Sequence, residues 1–159
     1  MRTISKKTKY GLRALLALGR RYGDKPIQIG SLASEEVIPL KFLQAILAEL
    51  KARGIVDSKS GPGGGCWLSR PPAEISIGSA VRVLEGPLAP LPCASETAYR
   101  PCEDCIDVSQ CGTRIIMREV RDVIAGVLDH TSLADVLERV DKLRADMKRT
   151  SDEDLMYYI

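Results

Sequence analysis

The sequence predicts a mainly α-helical fold built around a winged helix-turn-helix, and three observations predict it. Apolar residues make up 45% of the 159-residue chain but aromatics only 4%, so the core has to be built from Leu, Ile, Val and Ala, a mixture that favours helices. Two helical patterns meet at a tight turn and lead into a pair of short strands with a glycine-rich tip. The charge is also divided. Residues 1–72 carry 13 Lys/Arg against 5 Asp/Glu, whereas residues 73–159 carry 10 against 16. The front half is built to meet a polyanion and the back half is not.

The elements follow in order. Ser5 caps a first helix that places Tyr10, Leu12, Leu15, Leu16 and Gly19 near one face and Lys6, Lys7, Lys9, Arg13 and Arg20 on the other. Gly23-Asp24-Lys25-Pro26 ends it. Ile27 to Ile29 is an extended entry to a second helix over about Gly30 to Glu36, and Val37-Ile38 is the turn. Pro39 then takes the first position of a third helix that runs to Arg53 and stops at Gly54. Leu40, Leu43, Ile46, Leu47 and Leu50 form its buried stripe, opposite Lys41, Gln44, Ala45, Ala48 and Lys51.

The strands Ile55–Ser60 and Cys66–Ser69, joined by Gly61-Pro62-Gly63-Gly64-Gly65, make the β-hairpin wing. A short helix from Ile77 to Leu84 ends at Gly86-Pro87, and a loop from Leu88 to Gln110 shows little periodicity. A long helix over Gly112 to Asp129 has Ile116, Val120, Val123 and Val127 as an apolar seam. Thr131 or Ser132 caps a last helix with Leu133, Val136, Leu137, Val140 and Leu143 on one face. The charged tail from Asp146 is expected to fray. The resulting division is 1–86 for the DNA-binding unit, 87–111 for a cysteine-rich sensor loop, 112–145 for the dimerisation and C-terminal helices, and 146–159 for the tail.

In such a fold the third helix enters a major groove with its N-terminal residues nearest the bases. Lys41 suits guanine O6/N7 and Gln44 an adenine edge, while Ile38 and Pro39 at the helix tip suit a thymine methyl. Lys6, Lys7, Lys9 and Arg13 are expected against phosphates, giving affinity without sequence information. Lys59 and Ser60, flanked by glycines, bring the wing tip to the minor groove.

Cys93, Cys102, Cys105 and Cys111 fall within 19 residues, spaced C-x8-C-x2-C-x5-C. Thiolates ligate iron–sulfur clusters and structural zinc, and four of them complete either set. An iron–sulfur cluster, [2Fe–2S] or [4Fe–4S], is the leading reading. A zinc knuckle built on Cys102-x-x-Cys105 and a thiol–disulfide switch are the alternatives. Cys66, in the wing strand, reads as a packing residue, and the single histidine, His130, as a surface residue at a helix end. No signal-peptide core or membrane-length apolar run is present, so a cytoplasmic location is expected. A P-loop, a dinucleotide fingerprint and a βαβ context around the cysteine pair are all missing, which argues against an enzyme.

Four stretches together resemble the Rrf2 (Rrf-two) family of winged-helix transcription regulators. These are Ser5-Lys6 to Tyr10, Ile38-Pro39-Leu40-Lys41-Phe42-Leu43, the glycine run of the wing, and the cysteine cluster. The likeness covers about Met1 to Leu143. It implies a homodimer, held by the long helix, on a palindromic operator, sensing redox, nitric oxide, iron or iron–sulfur status. It also implies three cluster-holding cysteines, Cys93 and Cys111 with Cys105 or Cys102 between them. Some members supply a histidine three residues past the last cysteine, where this chain has Arg114; others supply an acidic residue from the first helix, where it has Lys9. The fourth ligand is therefore open, and the extra cysteine of the Cys102/Cys105 pair is the natural substitute.

Overall fold

The computed structural model describes residues 4–156, with side chains from 4 to 147. The helices are α1 (Lys6–Arg20), α2 (Ile29–Glu35), α3 (Leu40–Ala52), α4 (Ile77–Glu85), α5 (Gly112–Asp129) and α6 (Leu133–Met156). Strands β1 (Val56–Lys59) and β2 (Gly65–Leu68) lie between α3 and α4 and pair antiparallel, with Val56 opposite Leu68 and Lys59 opposite Gly65. This is the winged helix-turn-helix that the pattern predicts, with the cysteine loop between α4 and α5. The last helix runs through the stretch expected to fray, continuing from Asp146 to Met156.

One core joins the winged helix-turn-helix, α4 and the start of α6. Leu15 and Leu18 of α1, Leu32 of α2, Leu43, Ile46 and Leu50 of α3 and Val56 and Leu68 of the wing share it with Ala80 and Leu84 of α4 and Leu133 of α6. The inner face of α1 is Thr8, Gly11, Ala14, Leu15, Leu18 and Gly19. That face is rotated from the predicted one, and Tyr10, Leu12 and Leu16 lean on the core from its edge. Gly11 is small because Leu84 lies against it, where a Cβ would collide.

The caps are chemically explicit. Ser5 accepts from the Thr8 amide at 3.2 Å. Glu85, at the end of α4, receives the Ser5 amide (3.1 Å), the Ser5 hydroxyl (2.6 Å) and the buried Thr8 hydroxyl (2.5 Å). Those hydrogen bonds hold the Glu85 carboxyl below its ordinary value and staple the start of α1 to α4. At α6, Ser132 and Asp135 make a reciprocal capping box, amide to carboxylate at 2.8 Å and amide to hydroxyl at 3.1 Å.

Helices α2 and α3 end in the same way. At α3 the Ile55 amide returns to the Leu50 carbonyl and the Gly54 amide to Lys51, with Gly54 left-handed at φ 65°. At α2 the Ile38 amide returns to Ala33 and the Val37 amide to Ser34, with Val37 left-handed at φ 51°. Both are Schellman closures, but at α2 the left-handed position, normally glycine's, holds a β-branched residue. Val37→Gly is expected to stabilise the fold by about 1 kcal/mol, the left-handed penalty less glycine's extra unfolded-state entropy. A melting temperature raised by about 2–4 °C checks it. A melting temperature that is unchanged or lower would mean that the Val37 side chain compensates for its backbone.

Pro39 is the N-cap of α3 (φ −55°, ψ 126°) and not its first helical residue. Helix α3 thus begins one residue later than the proline pattern suggested. Leu40 is correspondingly displaced from the predicted buried stripe: it is 46% exposed, whereas Leu43, Ile46, Leu47 and Leu50 are buried.

The wing is fixed to the body by an isolated bridge. Ile27 and Cys66 exchange both backbone hydrogen bonds, at 3.0 and 2.8 Å. Gly64 leaves room for the Lys59 carbonyl, which a Cβ there would strike, and Gly61 and Gly63 turn the tip at positive φ. No helix among the described residues is long and apolar enough to cross a membrane.

Candidate nucleic-acid interface and cysteine loop

The predicted base readers lie on the outer face of α3. Lys41 and Gln44 are exposed, as are Pro39 before them and Ala45 and Ala48 along the same surface. Ile38, assigned with Pro39 to a thymine methyl, is 4% exposed and belongs to the core. As the second residue past the C-cap Glu36, it is turned inward by the Schellman closure.

The basic residues divide by partner. Lys6, Lys9, Lys41 and Lys59 are exposed and make no ion pair among the described residues. Lys7 pairs with Glu49 of α3 at 3.0 Å and is half-buried. Arg13 reaches the Glu36 carboxylate at 3.5 Å, donates to the Glu36 carbonyl and lies over the Tyr10 ring. These two brace α1 against the helix-turn-helix. Lys59 closes the β1–β2 ladder and Ser60 follows it at the exposed tip. Lys51 ties α3 to the wing through Asp57 (3.1 Å) and the Ser58 carbonyl (2.7 Å).

In the loop, Cys93 is buried within a short 3-10 turn (Pro92–Ala94), Cys111 is the N-cap of α5, Cys105 is half-buried and Cys102 exposed. Cys105 and Cys111 interact directly. Partial desolvation, then the contact with Cys111, raises the Cys105 thiol, and the charges of Cys102 and Cys93 add to the effect. At Cys111 the Arg114 amide, though short of an outright capping bond, is the main influence bringing the thiol below its ordinary value. No three His, Cys, Asp or Glu side chains among the described residues are placed to hold one metal ion.

Two arginines secure this loop: Arg114, which stands where some family members have a histidine, and Arg121, which the sequence pattern does not mark. Arg114 Nε donates to the Cys93 carbonyl at 2.9 Å. Arg121, buried, donates to the Ala94 carbonyl at 2.6 Å and pairs with Glu96 at 3.1 Å. Their seven-residue separation puts both on one face of α5, and that spacing was the signal available beforehand. At the other end of α5, Asp129 forms a bidentate pair with Arg82 of α4 at 2.5 and 2.8 Å. The Ile77 amide binds the Thr131 carbonyl at 2.8 Å, and the Leu133 amide binds Ile75 at 2.9 Å. The long helix is thus fixed to the cysteine loop at one end and to the winged helix at the other.

Cys66 is fully buried, and desolvation pushes its thiol up to about 11. His130 is exposed, with Nδ1 2.8 Å from the Gly126 carbonyl. Both positions suit the packing and surface roles expected of them.

Residues 4–139 match the Rrf2 family model, described as an iron-dependent transcriptional regulator. The chain is 39% identical to an rrf2-like HTH-type transcriptional regulator of Rhodobacter capsulatus, over 84% of this chain and 91% of that protein. Among solved structures it resembles CymR, the global cysteine regulator of B. subtilis, with a TM-score of 0.71, 30% identity and coverage of 87% and 98%. T. potens IscR is similar too, with a TM-score of 0.70, 27% identity and coverage of 89% and 90%. The chain belongs to the Rrf2 family of DNA-binding transcriptional regulators and is not an enzyme.

Proposed function

We propose that the protein acts as a homodimer on a palindromic operator and that a cysteine-held iron–sulfur cluster sets its DNA affinity. The observation that supports this reading best is the continuous link through α5: Arg114 and Arg121 grip the Cys93 turn, and Asp129 holds Arg82 of the winged helix. A change at the thiols has a rigid element through which to reach α3.

The donor set fits the group. Four thiols, one of them held low by the N-terminal amides of α5, are suited to soft iron–sulfur ligation. A multi-iron core also spaces its ligands more widely than a single ion. Cys93 and Cys111 are the anchored ligands, fixed by the 3-10 turn and the helix N-terminus, and Cys105 is beside Cys111. Cys102 is the exposed candidate for the fourth place, since Arg114 is already committed to the Cys93 carbonyl. Bound there, the group would supply a redox- and nitric-oxide-sensitive centre. The chain's own part is to prefer the DNA-competent conformer in one state of the thiols, by no more than the difference in affinity between conformers.

Anaerobic purification followed by a visible spectrum, with iron, sulfide and zinc assayed on the same sample, tests the reading. Brown protein with sulfide equal to iron, bleaching in air, is expected. Colourless protein with one zinc per chain would replace the sensor by a structural staple.

On the DNA side, Lys41, Gln44 and Pro39 are the proposed groove residues, and Lys6, Lys9, Lys59 and Ser60 the backbone contacts. Lys7 and Arg13 contribute chiefly by bracing α1. Lys9→Ala is expected to weaken binding to all sequences alike and flatten the log–log salt slope by about one unit, while Lys41→Ala relaxes sequence preference. Salt titrations of both variants on specific and random duplexes check this; equal effects from the two would remove the distinction.

A further inference from the structure

We infer that Leu40, with Pro39 beside it, is a base reader that recognises the C5-methyl of thymine, an inference that rests on α3 being the helix that enters the major groove. A leucine at the start of an amphipathic helix ordinarily completes the buried stripe, and spacing alone assigns Leu40 to it. The structure does not. Leu40 is 46% exposed, and it is not among the half-buried apolar residues that pack against the core. Phe42, its exposed neighbour, at least meets the Tyr10 ring edge-on at 5.8 Å.

The position of Leu40 says what it should meet. It is the first helical residue of α3, in the part of a recognition helix that reaches deepest toward the bases. Gln44 is four residues on and therefore directly above it on the same face, while Lys41 and Ala45 form the adjoining exposed row. The surface offered to a groove is thus an apolar tip, Pro39 and Leu40, with a hydrogen-bonding glutamine behind it and a lysine alongside. In the major groove only thymine presents a methyl group, and an apolar side chain is its complement. Ile38, one residue earlier, is excluded by its burial. An exposed leucine here therefore selects A·T pairs next to the base that Gln44 reads.

The test alters one methyl group. The full-length protein selects its preferred duplex from a random-sequence pool, and each thymine of that duplex is then replaced singly by deoxyuridine, which lacks only the C5-methyl. At one or two positions per half-site the replacement is expected to weaken binding about fourfold, the effect of burying one methyl group. Leu40→Ala should bind the thymine and uracil duplexes equally there, while Lys41→Ala keeps the difference. If a sequence is enriched but no thymine methyl matters, or Leu40→Ala retains the thymine preference, the inference is overturned and the DNA-binding reading stands. If no sequence is enriched, the reading of α3 falls and the inference with it. The deoxyuridine scan uses the unaltered protein, so a flat scan overturns the inference even if Leu40→Ala folds poorly; in that case Leu40→Gln, polar at an already exposed position, takes its place on the same pair of duplexes.

Discussion

Aspartate at both Val123 and Val127 is expected to convert a dimer into a monomer and to weaken operator binding about a hundredfold or more. The two valines are 68% and 62% exposed, and Ile116 on the same seam is likewise uncovered. Their 4-3-4 spacing keeps this apolar line on one side of α5, as in a helix pair. The arginine face of the same helix is already occupied by the Cys93 turn. An exposed apolar seam of this length marks an interaction surface, and in the proposed homodimer the partner copy would supply the matching seam by two-fold symmetry. Two buried aspartates would have to be desolvated without partners in such an interface. In the monomer the same side chains face water, so its helical content should change little, while the melting temperature loses only what the interface contributed. The DNA penalty follows because a dimer binds its second half-site intramolecularly, and that advantage disappears with the interface. Light scattering and operator titration of the double variant check both halves. A variant that stays dimeric would place the interface elsewhere.

How much of this was visible beforehand depends on how local each signal is. Helix α5 was bounded correctly from Gly112 to Asp129 because a proline-rich, aperiodic stretch gives way to regular apolar spacing. Ser5 as a cap and Gly54 as a stop are decided by their immediate neighbours, and both hold. Leu40 was misplaced because a count of 3 and 4 along one helix says nothing about where the packing partner ends. At the first turn of α3 the core has already run out. Val37 was unremarkable as a residue type, since the left-handed turn it occupies is set by the backbone hydrogen bonds of α2. The cysteine spacing was plain, but the approach of Cys93 to the start of α5 depends on Arg114 and Arg121 reaching carbonyls 21 and 27 residues away. Contacts of that range leave only a weak trace, here two arginines seven apart in a region of negative charge.

The second large effect concerns those arginines and the thiols that they position. Cys111→Ala is expected to abolish cluster retention and the redox response of DNA binding together, leaving the far-ultraviolet helical signal unchanged. Cys111 is half-exposed and outside the shared core, so the winged helix does not rest on it. Arg121→Gln separates ligation from positioning. It leaves all four thiols in place but removes the donor to the Ala94 carbonyl, a loss of about 1–3 kcal/mol confined to the Cys93 turn. Outer partners that orient ligands typically affect metal retention by about 10–100-fold. Arg121→Gln should therefore load at full stoichiometry under anaerobic reconstitution and then lose iron to a chelator about tenfold faster, whereas Cys111→Ala never loads. Arg121→Lys, which keeps one charged donor, should recover part of the difference. If Arg121→Gln releases iron at the unaltered rate, the Cys93 turn is not held for ligation and the pairing with α5 is architectural. If Cys111→Ala still yields brown protein, Cys102 and Cys105 complete the set with Cys93, and the anchored end of the site has been assigned to the wrong thiol.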